Sequence, residues 1–544
     1  MPEYWPGMAG DPGLIRIGAG LAGSGGCPAR QAAKARPAMR PARSSRARKP
    51  VLDQFPLRGV MDALDEAEFG GRSQEEILAR LAQPDSSGHA AVSRWQRHAA
   101  RNYLASAALI VTQATEPVSH YWVAQRSADQ VTWELYAWGR RYQSCDGTVR
   151  EHRLIRYGSA TGRERDMAEV GLAAYTTAHG KPASWPDPWS AHFETSAAPA
   201  PAVRRVRVVE IGLLDGSCAV LFEGTPEEAE GLYRTHTHDR IRAVSSGRSA
   251  DPGTVCGDCK LITACDSLPR LPGLLGISDP AAPLRRWSVT NGRHYDRCPA
   301  QDHLLRLHLP KENEYGPEAV RGQAVHEWLA TNHGGGFNAV CTIWDIPPVP
   351  DDWTGGRWHV TGDQARYGAQ MLASHADVCP FHRSGQITQV RVEPELTFHD
   401  AAANVVVTAR PDLMYTDDGA WVWRETKTRM QPLPAGLDLL REVPQLALAV
   451  LLMSANALGG NPDGARIELE WLTPQCGDVV LLDPHYPGLI RAARDVINGL
   501  AAPWHADETA RARPGQHCAR CPVRRWCPDA EIPDAERPDA GAAA

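Results

Sequence analysis

Three short patterns in the C-terminal half carry residues able to do chemistry. Arg410-Pro411-Asp412 closes the strand-like run Val405 to Thr408, and Glu425-Thr426-Lys427 lies thirteen residues beyond Asp412 in the run Ala-Trp-Val-Trp-Arg-Glu-Thr-Lys-Thr. Asp417-Asp418-Gly419 between them is a hairpin signal. Strand residues alternate faces, so Glu425 and Lys427 point the same way, and a hairpin can bring Asp412 beside them. Two carboxylates at one spot repel, and a divalent cation removes that repulsion. Magnesium-like ions take oxygen ligands, typically one or two carboxylates plus a substrate phosphate. The pattern therefore points to metal-assisted attack of water on a phosphodiester, with Asp412, Glu425 and Lys427 as catalytic residues. Lys427 would orient the water or stabilise charge in the transition state. Gly322-x3-His326, on a helix expected over 317–331, offers an imidazole to a manganese-like ion. Gln445 opens the next apolar helix and could reach a nucleotide or water.

Cysteines form the second chemical feature. The chain has 13, and Cys256-x2-Cys259-x5-Cys265 and Cys518-x2-Cys521-x5-Cys527 share one spacing. With no signal peptide in view, reduced thiols and metal or iron–sulfur ligation are the better reading. Cys298 precedes the second triplet by 220 residues. Four thiolates suit zinc or iron–sulfur alike, but a ligand so distant argues against a compact zinc ribbon. Cys256, Cys259 and Cys265 form a possible second metal or cluster site, for which Cys145, Cys218, His236 and His238 are unranked candidates as fourth ligand. Cys27, Cys341, Cys379 and Cys476 are expected to be ordinary thiols. Arg520, Arg524 and Arg525 surround Trp526; they read either as phosphate contacts with Trp526 stacking on a base, or as a solvated basic knuckle over a core tryptophan.

The order Cys298, Gly-x3-His326, Pro-Asp412, Glu425-x-Lys427, Gln445, then Cys518-x2-Cys521-x5-Cys527, resembles the RecB-like branch of the PD-(D/E)XK nuclease superfamily. More narrowly it resembles the iron–sulfur members, such as AddB-type and CRISPR adaptation nucleases, over about 285–530. The resemblance implies a restriction-endonuclease-like α/β core, a mixed sheet flanked by helices with the metal on its central hairpin. It implies Asp412, Glu425, His326 and the Thr426 carbonyl as ligands of Mg2+ or Mn2+, and Lys427 as the catalytic lysine. It also implies a 4Fe–4S cluster on Cys298, Cys518, Cys521 and Cys527, with Zn2+ as the alternative. Two positions depart from the family: the strand reads Glu-Thr-Lys-Thr-Arg where Asp-Tyr-Lys followed soon by glycine is usual, and Ala449 stands where tyrosine often follows the glutamine.

The elements that must position these residues repeat. Strand pair 206–222 and helix 226–244 precede the first cysteine triplet, and strands 466–482 and helix 487–500 precede the second. Glu151-His152-Arg153, followed by an apolar helix at 167–178, parallels Glu425-Thr426-Lys427, followed by an apolar helix at 443–457. This predicts a duplicated core whose N-terminal copy is degenerate, since no aspartate accompanies Glu151 and arginine does not readily shed a proton. The expected domains are a disordered basic leader over 1–50, a helical segment plus degenerate copy over 51–270, the catalytic domain over 285–530 and a disordered tail over 531–544. Helices are expected over 61–82 and 91–109, strands over 119–125, 131–138 and 148–156, and a loop or linker over 181–202.

Composition is compatible with this. The 544 residues, 43% hydrophobic and 22% charged, suit two to four folded domains. A net charge of −6 excludes a uniformly basic nucleic-acid coat but not a local basic groove. No apolar run reaches membrane-spanning length, so a cytoplasmic protein without membrane partners is expected. The leading reading is a metal-dependent deoxyribonuclease of exonuclease or flap-trimming type, acting on single-stranded or processed DNA ends. The chain lacks a phosphate-binding Gly-x4-Gly-Lys-Ser/Thr loop, so a helicase motor, or any other repair or defence protein, would be a separate partner. The alternatives are a non-catalytic nucleic-acid-binding module and a zinc-stapled scaffold.

Overall fold

The computed structural model describes residues 7–42, 47–52, 54–83, 88–110, 115–198, 201–312, 315–335, 340–382 and 387–530. Two compact units emerge, one of residues 1–267, 298–312 and 508–544, the other of 268–297 and 313–507.

In the second unit a five-stranded sheet runs in the order Val390–Val392, Leu413–Asp417, Ala420–Thr428, Arg466–Leu472, Gly477–Leu482. Leu413–Asp417 and Ala420–Thr428 form the expected hairpin, in register from Leu413↔Arg424 to Asp417↔Ala420. Its two-residue turn needs positive φ at both positions, and Asp418 (50°) and Gly419 (78°) supply it. Ala420–Thr428 runs parallel to Arg466–Leu472, so the chain must cross over, and Pro444–Ser454 is that crossover helix. Its Leu446–Met453 stretch is apolar on every face and buried throughout, in a core with Trp287, Trp423, Ile497 and Trp504. A smaller sheet pairs Arg285–Trp287 parallel to Val405–Ala409, which is antiparallel to Leu396–Asp400.

The first unit has the same plan. Its five-stranded sheet runs Thr115–Pro117, Arg140–Ser144, Val149–Arg156, Arg205–Gly212, Cys218–Gly224. Val149–Arg156 is antiparallel to Arg140–Ser144 and parallel to Arg205–Gly212, with helix Met167–His179 between them in sequence. Here too a strand, Leu14–Gly18, lies parallel to Val131–Tyr136, which pairs antiparallel with Tyr121–Ala128.

Several expectations are corrected. Residues 1–50 are not a disordered leader where described: Leu14–Gly18 is a sheet strand with Leu14, Ile15 and Ile17 buried, and Pro28–Lys34 is a helix. Gly, Ala and Arg dominate this segment, and Leu14–Gly18 finds its partner more than 100 residues away, so no local pattern announces that strand. Residues 43–46 of its basic run, and the tail over 531–544, lie outside the described residues. The helix expected over 61–82 is two, Leu57–Glu68 and Gln74–Leu81, separated at Gly70-Gly71, and the second starts on a Ser73–Glu76 capping box. The supposed linker 181–202 contributes the strands Lys181–Ser184 and Glu194–Thr195, and Arg16, paired with Glu134, donates to the carbonyls of Trp189 and Ala191. Residues 298–312 and 508–530, expected within the catalytic domain, belong to the first unit.

Candidate active site and cysteine centres

The Glu-x-Lys strand positions three groups at the end of the hairpin. Lys427 Nζ lies 3.0 Å from Glu425 Oε2 and 3.7 Å from Asp412 Oδ2, so the two strand residues share a face and the aspartate just before the neighbouring strand Leu413–Asp417 joins them. Asp412 is locked by the strand itself, because the Thr426 amide donates to its Oδ2 at 2.7 Å. The Thr426 carbonyl turns toward the same place, 3.1 Å from Lys427 Nζ. His326, from helix Pro317–His333, sets Nδ1 3.3 Å from Asp412 Oδ1. Gly322, one turn earlier, makes that approach possible: a Cβ there would meet Thr428 Oγ1 at 3.1 Å, tighter than most side-chain contacts.

Burial is graded across the group. The Glu425 side chain is 3% exposed, whereas those of Lys427, His326 and Asp412 are 18%, 22% and 23% exposed, so the site opens to solvent on the Asp412 side. Burial, then repulsion from Asp412, raise the Glu425 pKa against the pull of Lys427. Burial opposes the charge on Asp412, but His326 and Lys427 outweigh it and hold that carboxyl below the usual range. For His326 and Lys427 burial favours the neutral forms, and the carboxylates reverse this and raise both. The site thus sets two carboxyl groups against two basic groups. Its oxygens and one imidazole are a fitting donor set for a magnesium- or manganese-like ion. Gln445 is the second residue of helix Pro444–Ser454, with Oε1 buried and unpartnered. Among the described residues it makes no hydrogen bond to Asp412, Glu425 or Lys427.

The counterpart strand in the first unit is differently occupied. Glu151 is bound by Arg153 at 2.6 Å and Arg207 at 2.8 Å, and the residue facing it across the hairpin is Tyr142. His152 is buried and its pKa is pushed down to about 3, by burial first and then by Arg141. One carboxylate neutralised by two guanidiniums leaves no charge for a metal ion.

Cys298, Cys518, Cys521 and Cys527 line one small cavity within the first unit. Cys298 caps helix Pro299–Arg306, and its sulfur accepts from the Arg513 amide at 3.4 Å. Cys518 sits in a 3₁₀ turn, Gln516–Arg520, that begins after Gly515 and leads into Cys521. The other triplet repeats the turn after Gly253, as Thr254–Asp258 leading into Cys259.

Its fourth neighbour is Cys27. Cys27 also caps a helix beginning Pro-Ala, Pro28–Lys34, and its sulfur accepts from the Asp251 amide at 3.4 Å. It lies close enough to Cys256 and Cys259 to add to the rise that burial imposes on both thiols. The sequence signal was there, in Cys27-Pro28-Ala29 against Cys298-Pro299-Ala300, but Cys27 falls in the segment read as disordered. The candidates named for this place are elsewhere: Cys145 and Cys218 are exposed, beside Glu116 and the Gly216 carbonyl, and His238 contacts Asp239. Cys341 and Cys379, expected to be ordinary thiols, are buried beside His333 and His375.

Trp526 is a core residue. It is buried, and its indole donates to the Pro310 carbonyl at 2.7 Å, which removes it as a base-stacking platform. Arg524 is paired with Glu312 at 3.0 Å, while Arg520 and Arg525 are exposed.

Residues 286–528 match the family model described as the PD-(D/E)XK nuclease superfamily. No curated protein matches the chain. The mixed sheets flanked by helices are consistent with that fold, whose members are nucleases that use divalent metals. Among the described residues, no helix is long and apolar enough to cross a membrane.

Proposed function

We propose that this chain is a divalent-metal-dependent deoxyribonuclease of the RecB-like kind, acting as an exonuclease or flap trimmer on single-stranded or processed DNA ends. The convergence of Asp412, Glu425, Lys427 and His326 on one solvent-facing spot carries the reading. Asp412, Glu425, the Thr426 carbonyl and His326 would hold Mg2+ or Mn2+. The bound ion would supply Lewis acidity toward the scissile phosphate and its attacking water. The Thr426 amide keeps Asp412 in place without any metal, so this part of the site is preorganised. Lys427 projects its ammonium beside the carboxylates, where it can donate to a phosphate oxygen or orient water. Arg520 and Arg525, exposed on the cysteine knuckle, could contact the DNA backbone; Arg524, engaged by Glu312, is a weaker candidate.

The two cysteine quartets support an iron–sulfur reading, with 4Fe–4S clusters on Cys298, Cys518, Cys521, Cys527 and on Cys27, Cys256, Cys259, Cys265. The matched strand order, the Cys-Pro-Ala helix starts and the paired 3₁₀ turns support descent of both units from one duplicated core, with catalysis kept only in the second.

The test is anaerobic purification, a visible spectrum, and incubation with end-labelled single- and double-stranded DNA plus Mn2+ or Mg2+. A brown protein that cuts, and whose Lys427→Ala variant does not, supports the proposal. DNA loss unaffected by that substitution would overturn the nuclease reading. A colourless protein containing zinc would overturn the iron–sulfur reading alone.

A further inference from the structure

The active site does not use the most compact group of metal-ligating side chains among the described residues. His333, Cys341, His375 and Cys379 are all buried, and one ligand atom from each lies within 4.8 Å of all the others. Among the described residues no other histidine, cysteine or carboxylate group is drawn so tightly. We propose that these four residues are a structural zinc site.

The donor set selects the ion. Two sulfurs and two imidazoles suit zinc, whereas magnesium and calcium take oxygen. With Zn–S near 2.3 Å and Zn–N near 2.0–2.1 Å, a tetrahedral site has sulfur–nitrogen edges of about 3.5 Å. Cys341 Sγ lies 3.4 Å from His333 Nε2, and Cys379 Sγ lies 4.0 Å from the same nitrogen. His375 is oriented as a zinc ligand is: its Nδ1 faces Glu470 Oε1 at 2.6 Å, the carboxylate–histidine arrangement common behind zinc. That leaves Nε2, which is buried, to ligate.

The site has a structural consequence. His333 ends the helix that carries His326, seven residues earlier and hence on the same face. His375 lies in the last turn of helix Gly362–Val378, and Cys379 caps that helix. Glu470, behind His375, also accepts from Thr426 Oγ1 at 2.7 Å and pairs with Arg424, both on the strand of Glu425 and Lys427. Zinc here would tie both helices to the strand bearing Glu425 and Lys427, and so fix His326 opposite Asp412.

The test is elemental analysis of the dialysed full-length protein, made beside a Cys341→Ser/Cys379→Ser variant and a Cys518→Ser/Cys521→Ser variant. About one zinc per chain is expected in the wild type and in the Cys518→Ser/Cys521→Ser variant, and none in the Cys341→Ser/Cys379→Ser variant. Zinc content that is absent from the wild type, or that the Cys341→Ser/Cys379→Ser change leaves intact, would overturn the proposal. So would mass-spectrometric detection of a Cys341–Cys379 disulfide in place of zinc. Should that variant fail to fold, X-ray absorption at the zinc edge of the wild type decides. Two sulfurs and two nitrogens support the site, while four sulfurs or an oxygen-only shell refute it.

Discussion

Replacing Lys427 with methionine removes the positive charge that reconciles Glu425 with Asp412 while keeping most of the apolar stem. At separations of 3.0 and 3.7 Å, and an effective dielectric constant near 20, the two attractions are about 5.5 and 4.5 kcal/mol before desolvation. The ammonium's own desolvation offsets much of this, and breaking a buried pair typically costs about 3–5 kcal/mol. For a unit of about 225 residues, each kcal/mol moves Tm by roughly 2–4 °C, so calorimetry of the metal-free full chain should show one transition falling by roughly 10 °C. Mn2+ should raise Tm more in Lys427→Met than in the wild type, because the ion then relieves repulsion that no ammonium offsets. Cleavage should fall by about 10²–10³-fold if Lys427 stabilises transition-state charge. A variant that melts like the wild type without metal, gains no extra stabilisation from Mn2+ and still cuts DNA would refute both the electrostatic account and the role of Lys427.

Other outcomes follow from single contacts. His152 is buried neutral, with a pKa near 3 against about 6.5 in the unfolded chain, so the unfolded state binds the extra proton and stability falls as pH drops from 6.5 toward 3. His152→Phe should flatten that acid limb by up to on the order of 4 kcal/mol, read by urea titration across pH. Cys27→Ser should halve iron and acid-labile sulfide, while Cys145→Ser should change neither. Trp526→Ala should destabilise the first unit by about 3–5 kcal/mol in denaturant melts, as deletion of a buried indole does. Arg520→Ala and Arg525→Ala should leave melting unchanged, weaken DNA binding and each lower the salt dependence by about one ion.

Sequence legibility followed the range of each interaction. The hairpin needed only Asp418-Gly419 and alternating residues, and its register put Asp412 beside Glu425 and Lys427 as the spacing implied. His326 was legible through its helical partner Gly322, and the two cysteine triplets through their shared spacing.

What the sequence determined by itself is therefore local: the hairpin, the crossover helices, the triplets, and the motif order that points to a nuclease core. Tertiary structure decided the groupings whose members share no local period. Cys27 joins residues more than 220 positions away; His333, Cys341, His375 and Cys379 gather from two helix ends and a loop; Trp526 turns inward to Pro310. Residues 298–312 and 508–530 fold with the first unit although the motif order places them with the second. The physical reason is common to all of these: neighbouring residues set backbone conformation, but which distant side chains meet is set by how sheets and helices pack, and only there do burial and pairing act on them.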